Sequence, residues 1–166
     1  MLVSPKRVPT ESEACQAVDL LLAALKTGGD IFDALSDVRP LHPKNNTFPG
    51  EVFIRLAADA LEEGGIGRER PISEEDLVGR YLPECEFRGR DNRKIRYAIM
   101  AAAATAGGVQ VDLLDQVAYW ATDDFWSYAA LAAVAWIRAV ADQRAITLGV
   151  LCDRLRARAD TDRTGR

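Results

Sequence analysis

The feature that most constrains the fold of this chain is a run of residues with no polar face. From Tyr128 to Ile137 every side chain is apolar, and half of them are alanine. A helix at a protein surface shows a polar stripe, so a helix without one is enclosed by other helices or by lipid. Crossing a bilayer takes about 20 apolar residues, whereas Asp124 lies just before this run and Arg138 just after it. The run therefore predicts a central helix, over about residues 123–144, in a soluble helical bundle.

The remainder of the chain has helical periodicity and no strand-like alternation. Apolar residues recur at helical spacing over 11–26 and 49–63, and glycine pairs follow both segments. Residues that favour the N-cap position precede further apolar segments, namely Ser73, Asp91, Asp112 and Thr147. Between Ala98 and Ala106 the residues are almost all small, which permits close approach of a neighbouring helix. The fold class predicted is all-α, a bundle of six to eight helices.

Length and composition indicate one domain in a reducing compartment. The chain has 166 residues, the usual size of a single domain. We predict a helical domain over 11–159, between a flexible N-terminus at 1–10 and a flexible C-terminal tail at 160–166. The three cysteines form no CxxC pair and no secretory signal is recognisable, so a cytoplasmic location is expected. The net charge of -4 argues against a surface built as a whole to bind nucleic acid.

No set of residues with catalytic spacing is visible. His42 is the only histidine, and no second metal ligand or nucleophile stands at a diagnostic distance from it. Most acidic pairs fall at predicted helix starts, where capping accounts for them. Glu62 and Glu63 do not fit that account, because they fall near a helix end, where negative charge is unfavourable. We therefore predict no catalytic residue, no metal and no cofactor.

A basic run leads into the helix that Asp91 is expected to cap. Its members are Arg88, Arg90, Arg93, Lys94 and Arg96. Arginines near the free amides of a helix start can bind an anion or nucleic acid. Acidic residues are interleaved with them, and Asp123 and Asp124 are further possible partners, so pairing within the chain is the favoured interpretation.

Aromatic residues gather around the start of the central helix. Core packing is expected for Trp136, since burial of large rings stabilises a core strongly. Trp120, Trp126 and Tyr128 are candidates for a pocket or a subunit interface, where aromatic residues are enriched. The placement of Trp126 stays open between these two interpretations.

Two stretches of the carboxy-terminal half, Phe87-Arg88-Gly89-Arg90-Asp91-Asn92-Arg93 and Asp123-Asp124-Phe125-Trp126-Ser127-Tyr128-Ala129, resemble small uncharacterised all-helical proteins of GC-rich bacteria. The resemblance implies a fold type. It supplies no activity and no catalytic residue, because that family has no assigned activity.

The leading functional hypothesis is a non-catalytic helical protein that acts through a protein partner or as a homodimer. The first alternative is a nucleic-acid or anion-binding module that uses the basic run. The second alternative is a small-ligand binder or enzyme with a pocket near Trp126 and Tyr128. No membrane association is expected.

Overall fold

The computed structural model describes residues 11–38, 48–65, 73–83, 92–107 and 125–164. These ranges contain seven helices and no strand, which confirms the all-α class and the predicted number of helices. The helices are α1 (Glu11–Thr27), α2 (Ile31–Val38), α3 (Phe48–Gly64), α4 (Glu74–Tyr81), α5 (Asn92–Ala106), α6 (Phe125–Gln143) and α7 (Leu148–Thr164). The helix predicted after Asp112 and the cap predicted at Asp91 lie outside the described residues.

Helix α6 occupies the centre of the bundle, as its apolar sequence predicted. Every side chain from Ser127 to Ala141 is buried except that of Arg138, which is half-buried. The helix packs against α3 most extensively, and also against α4, α5 and α7. A helix with neighbours on this many sides has no solvated face, which explains why its sequence carries no polar stripe.

Small residues bring α3, α5 and α6 close together. Gly64 ends α3, and a Cβ atom at this position would lie 2.7 Å from Val140 Cγ1 of α6, closer than side chains normally approach. On α5 the buried face is built from alanine and isoleucine, including Ala98, Ala102 and Ile99. Short side chains allow helix axes to approach closely, as expected from the sequence.

The starts of α4 and α7 carry the predicted caps. Ser73 Oγ accepts a hydrogen bond from the Asp76 amide at 3.2 Å. Thr147 Oγ1 accepts one from the Val150 amide at 3.1 Å. Each cap satisfies an amide that has no partner within its own helix, so both predicted starts are confirmed.

The ends of α1 and α6 use the same backbone motif with different residues. Gly28 follows α1 with a φ of 72°, and the Gly29 amide donates to the Ala24 carbonyl at 2.9 Å. After α6 the left-handed position is filled by Ala145, with a φ of 53°. Glycine adopts this conformation readily, whereas alanine does so at a cost in free energy.

Helix α4 is attached to α6 by polar contacts at its last turn. Tyr81 Oη donates to Asp142 Oδ2 at 2.7 Å, and Arg138 Nη1 donates to the Tyr81 carbonyl at 2.9 Å. Burial and the hydrogen bond to Asp142 raise the pKa of Tyr81 above its usual value. These bonds fix the end of a short helix that has few side chains for packing.

Helix α7 lies antiparallel to α1. Lys26 Nζ is 2.8 Å from Asp153 Oδ1, and about two turns earlier in α1 Asp19 Oδ1 is 3.5 Å from Arg156 Nε. Helix α7 continues to Thr164, beyond the start of the tail predicted at 160. None of the described helices combines the length and the apolar character needed to cross a membrane.

Candidate functional site

Of the basic run, which is a candidate anion site or a set of residues paired within the chain, the structure describes the side chain of Arg96. Its guanidinium Nη2 lies 3.1 Å from Glu75 Oε1 of α4, and both side chains are exposed. Glu75 is one of the acidic residues at a predicted helix start, where capping is the expected role. The side chains of Arg88, Arg90, Arg93 and Lys94 lie outside the described residues, as do Asp123 and Asp124. Arg96 is thus paired within the chain, with a different acid from those expected.

The aromatic candidates fall into two groups. Tyr128 and Trp136 are both buried on α6, and Trp136 Nε1 donates to the Ile99 carbonyl at 3.4 Å, which confirms core packing for Trp136. Trp120 and the side chain of Trp126 lie outside the described residues. Within the described ranges, the aromatic group on α6 therefore contributes to the core.

A cluster of charges joins α3 to α7, and we call it the Arg158 cluster. Arg158 Nε lies 3.5 Å from Asp59 Oδ1, its Nη1 lies 3.5 Å from Glu63 Oε1, and its Nη2 is paired with Glu62. Arg55 Nε also lies 3.5 Å from Asp59 Oδ1. Burial lowers the pKa of Arg158, but the three carboxylates raise it by more, so the pKa is above its usual value.

The Arg158 cluster accounts for the burial of Asp59 and for the acidic residues at the end of α3. The i,i+4 spacing of Arg55 and Asp59 in the sequence predicts an ion pair on a solvated face of α3. However, only 4% of Asp59 is exposed, because α7 covers this part of the helix. Glu62 and Glu63 had no explanation at a helix end, and Arg158 supplies it by neutralising their charge. Their carboxylates face a guanidinium, and no group of acids, histidines or cysteines in the described ranges is arranged to hold a metal.

Large apolar side chains are exposed at three described positions. Tyr97 and Met100, on α5, are 44% and 45% exposed, and Val150, on α7, is 43% exposed. Tyr97 and Met100 are one helical turn apart and therefore neighbours on the helix surface. Small residues continue this surface toward the end of the helix. We call it the α5 face; its members are Tyr97, Met100, Ala103, Ala104 and Gly107.

A cleft of about 510 Å³ opens between α1, α2 and α7. Its lining residues combine apolar and charged groups: Gln16, Asp19, Leu20, Ala23, Asp37 and Arg156. At helical spacing Gln16 and Asp19 fall on the polar stripe of α1. No signal in the sequence indicates that the end of α2 and the middle of α7 lie beside that stripe.

Cys152 is buried on α7 and has no partner for a disulfide among the described residues. Burial, reinforced by the charge of Asp153, raises the pKa of its thiol to about 11. The thiolate is the reactive form of cysteine, so this group is inert at neutral pH. The single histidine, His42, lies outside the described residues.

Comparison of the chain with protein-family models, with curated proteins and with solved structures gives no match. The resemblance to uncharacterised helical proteins therefore stays a prediction. Functional inference for this chain depends on the α5 face, the Arg158 cluster and the cleft.

Proposed function

We propose that this chain is a non-catalytic helical protein that acts by self-association, with the α5 face as the contact surface between two copies. The observation that carries the proposal is the exposure of Tyr97 and Met100 at adjacent positions of one helix. Aromatic residues and methionine are enriched at protein interfaces. An exposed pair of this kind costs solvation free energy unless a second surface covers it.

The small residues on the α5 face favour a helix as the covering surface. Ala103, Ala104 and Gly107 extend from Met100 toward the end of α5 and leave a shallow, smooth surface. A second helix can approach such a surface closely, with the larger side chains of each helix beside the small residues of the other. Two antiparallel copies of α5 satisfy this condition, since Tyr97 and Met100 then face the alanine end of the partner.

The charges beside this face favour a second copy over an unrelated partner. Arg96 adjoins Tyr97 and is paired with Glu75, so the rim carries a cation and an anion close together. A two-fold axis brings the same surface of each copy together. An arrangement that sets the cation of one copy beside the anion of the other satisfies both pairs, whereas a uniformly charged partner would oppose one member of each pair.

Sedimentation equilibrium across a wide dilution series tests the proposal. The wild-type chain is expected to form a dimer that dissociates on dilution. The variant Met100→Lys is expected to be monomeric, because each copy would then bury an unpaired ammonium group against the alanine end of its partner. Val150→Lys is the matched control, since Val150 has similar exposure but lies on α7, and it should dimerise like the wild type.

Circular dichroism and thermal unfolding establish that both variants are folded before their masses are compared. A wild-type chain that stays monomeric at every concentration would overturn the proposal. So would a Met100→Lys variant that dimerises as strongly as Val150→Lys, because the contact surface would then lie elsewhere.

A further inference from the structure

We infer that the cleft between α1, α2 and α7 binds a small organic amine, whose ammonium group lies at Asp37 and Asp19 and whose apolar body lies on Leu20 and Ala23. This inference concerns a different face of the molecule from the proposed dimer contact. It does not depend on self-association.

The cleft is open and large enough for a small molecule. Helix α1 forms its floor with residues at the spacing i, i+3, i+4 and i+7, which is one continuous helical stripe: Gln16, Asp19, Leu20 and Ala23. The last turn of α2 and the middle of α7 form its walls, through Asp37 and Arg156. Its volume of about 510 Å³ lies within the range of ligand sites, roughly 300–1,000 Å³.

The charges in the cleft favour a cation. Asp37 lies in the last turn of α2, where the carbonyl groups already give the helix a negative end, and no basic residue of that turn offsets it. No ion pair joins Asp37 to another of the described residues. Asp19 adds a second carboxylate, and Arg156 supplies the one positive charge among the lining residues that the structure describes. Two carboxylates against one guanidinium give this described lining a net negative charge.

The pairing of Asp19 with Arg156 does not close the site. Their atoms are 3.5 Å apart, and the two side chains are 44% and 62% exposed. An exposed ion pair of this length contributes little to stability. Asp19 can therefore exchange part of its contact with Arg156 for a hydrogen bond from a bound ammonium group at small cost.

The apolar floor distinguishes an organic amine from a metal ion. A divalent cation such as Ca²⁺ needs six to eight oxygen ligands, and Leu20 and Ala23 supply none from their side chains. An alkylammonium uses both parts of the cleft, because its charge meets the carboxylates while its chain covers Leu20 and Ala23. Burial of that chain adds favourable free energy that a bare cation lacks.

The test is a titration of the ¹⁵N-labelled chain with n-butylamine, adjusted to neutral pH and followed by amide chemical shifts. We expect saturable shifts at residues of the α1 stripe and at Asp37. Ammonium chloride, which carries the charge alone, and n-butanol, which carries the chain alone, are expected to give much smaller shifts at the same concentration. Magnesium chloride at equal ionic strength controls for screening.

Two variants on α2 complete the design. Asp37→Asn is expected to weaken butylamine binding roughly tenfold, the effect of losing one charge-assisted hydrogen bond. Asp33→Asn is the matched control, because Asp33 is an exposed acid on the same helix but does not line the cleft. Shifts that do not saturate, equal shifts with ammonium or magnesium chloride, or equal binding by both variants would overturn the inference.

Discussion

Helix α3 contacts two neighbours by different physical means, and the contrast divides the molecule into two regions. Toward α6 it presents small and apolar residues, with Gly64 against Val140. Toward α7 it presents carboxylates, and the Arg158 cluster forms the contact. The first region is the centre of the bundle, and the second is its outer seam.

The two contacts respond differently to change. Apolar packing depends on shape and on the area removed from water, and salt at moderate concentration affects it little. A cluster of partly exposed charges is screened by salt. Removing one member of the cluster also leaves the charges of the others less compensated. The centre should therefore be sensitive to volume, and the seam to charge and ionic strength.

The largest loss of stability is expected in the centre of the bundle, from Ile137→Ala. Ile137 is fully buried on α6, and the loss of its side chain leaves a cavity that costs about 2–5 kcal/mol. Urea unfolding at low and high salt should give the same loss. Val150→Ala, at an exposed position, should cost less than about 0.5 kcal/mol. Equal losses from the two variants would contradict the expectation that the centre is sensitive to side-chain volume.

The next largest change is a loss of stability at high pH, caused by Cys152 on α7. Burial raises the pKa of the Cys152 thiol to about 11, from 9.0. The folded chain therefore holds this proton more tightly than the unfolded chain. Its contribution is fully present below pH 9 and is lost as the pH rises to about 11, a decrease of about 2–3 kcal/mol.

Thermal unfolding between pH 8 and pH 11 measures this loss. Cys152→Ala should flatten the profile from pH 9 upward, while a smaller slope above pH 10 remains because the pKa of Tyr81 is also raised. An unchanged profile in the variant would show that Cys152 is not the source.

A smaller effect is expected in the seam, from Arg158→Gln. The change removes a guanidinium group paired with Asp59 and should cost about 1–2 kcal/mol, less at high salt. Arg156→Gln, three-fifths exposed on the same helix, should cost almost nothing. Urea unfolding of both variants at two salt concentrations checks the prediction. A loss of stability that does not depend on salt concentration would mean that apolar packing holds the seam together.

The smallest effect is expected at the turn that joins the two regions. Ala145 has a φ of 53°, so Ala145→Gly should stabilise the fold by about 0.5–1 kcal/mol by relieving backbone strain. The same change at Ala103, on the exposed side of α5, should destabilise it by about 0.5–1 kcal/mol. Differential scanning calorimetry of the two variants measures the expected gain in stability at position 145 and the expected loss at position 103. A loss at both positions would mean that Ala145 is not strained.

Local patterns were sufficient to predict most of the fold. The apolar run from Tyr128 to Ile137 identified the central helix, because the polarity of each residue indicates whether its side of the helix faces solvent or other helices. Ser73 and Thr147 identified helix starts, because a cap acts within one turn. These signals involve residues only a few positions apart, which is the distance over which a sequence pattern can be read.

The Arg158 cluster and the cleft depend on residues that are distant in the chain. Arg158 is 95 and 96 residues from its partners Glu63 and Glu62, and no local pattern announces such a pairing. The α5 face is a different case. Tyr97 and Met100 lie off the buried stripe that contains Ile95 and Ile99, so a helical projection of the sequence could have indicated it.

The close approach of α3 and α6 also limits how this sequence can change over generations. At Gly64 any larger residue would place its Cβ atom too close to Val140. A single substitution there is therefore selected against for its effect on stability. Change at this position requires a smaller residue at 140, either beforehand or together with it. The two positions, far apart in the sequence, are therefore expected to change together.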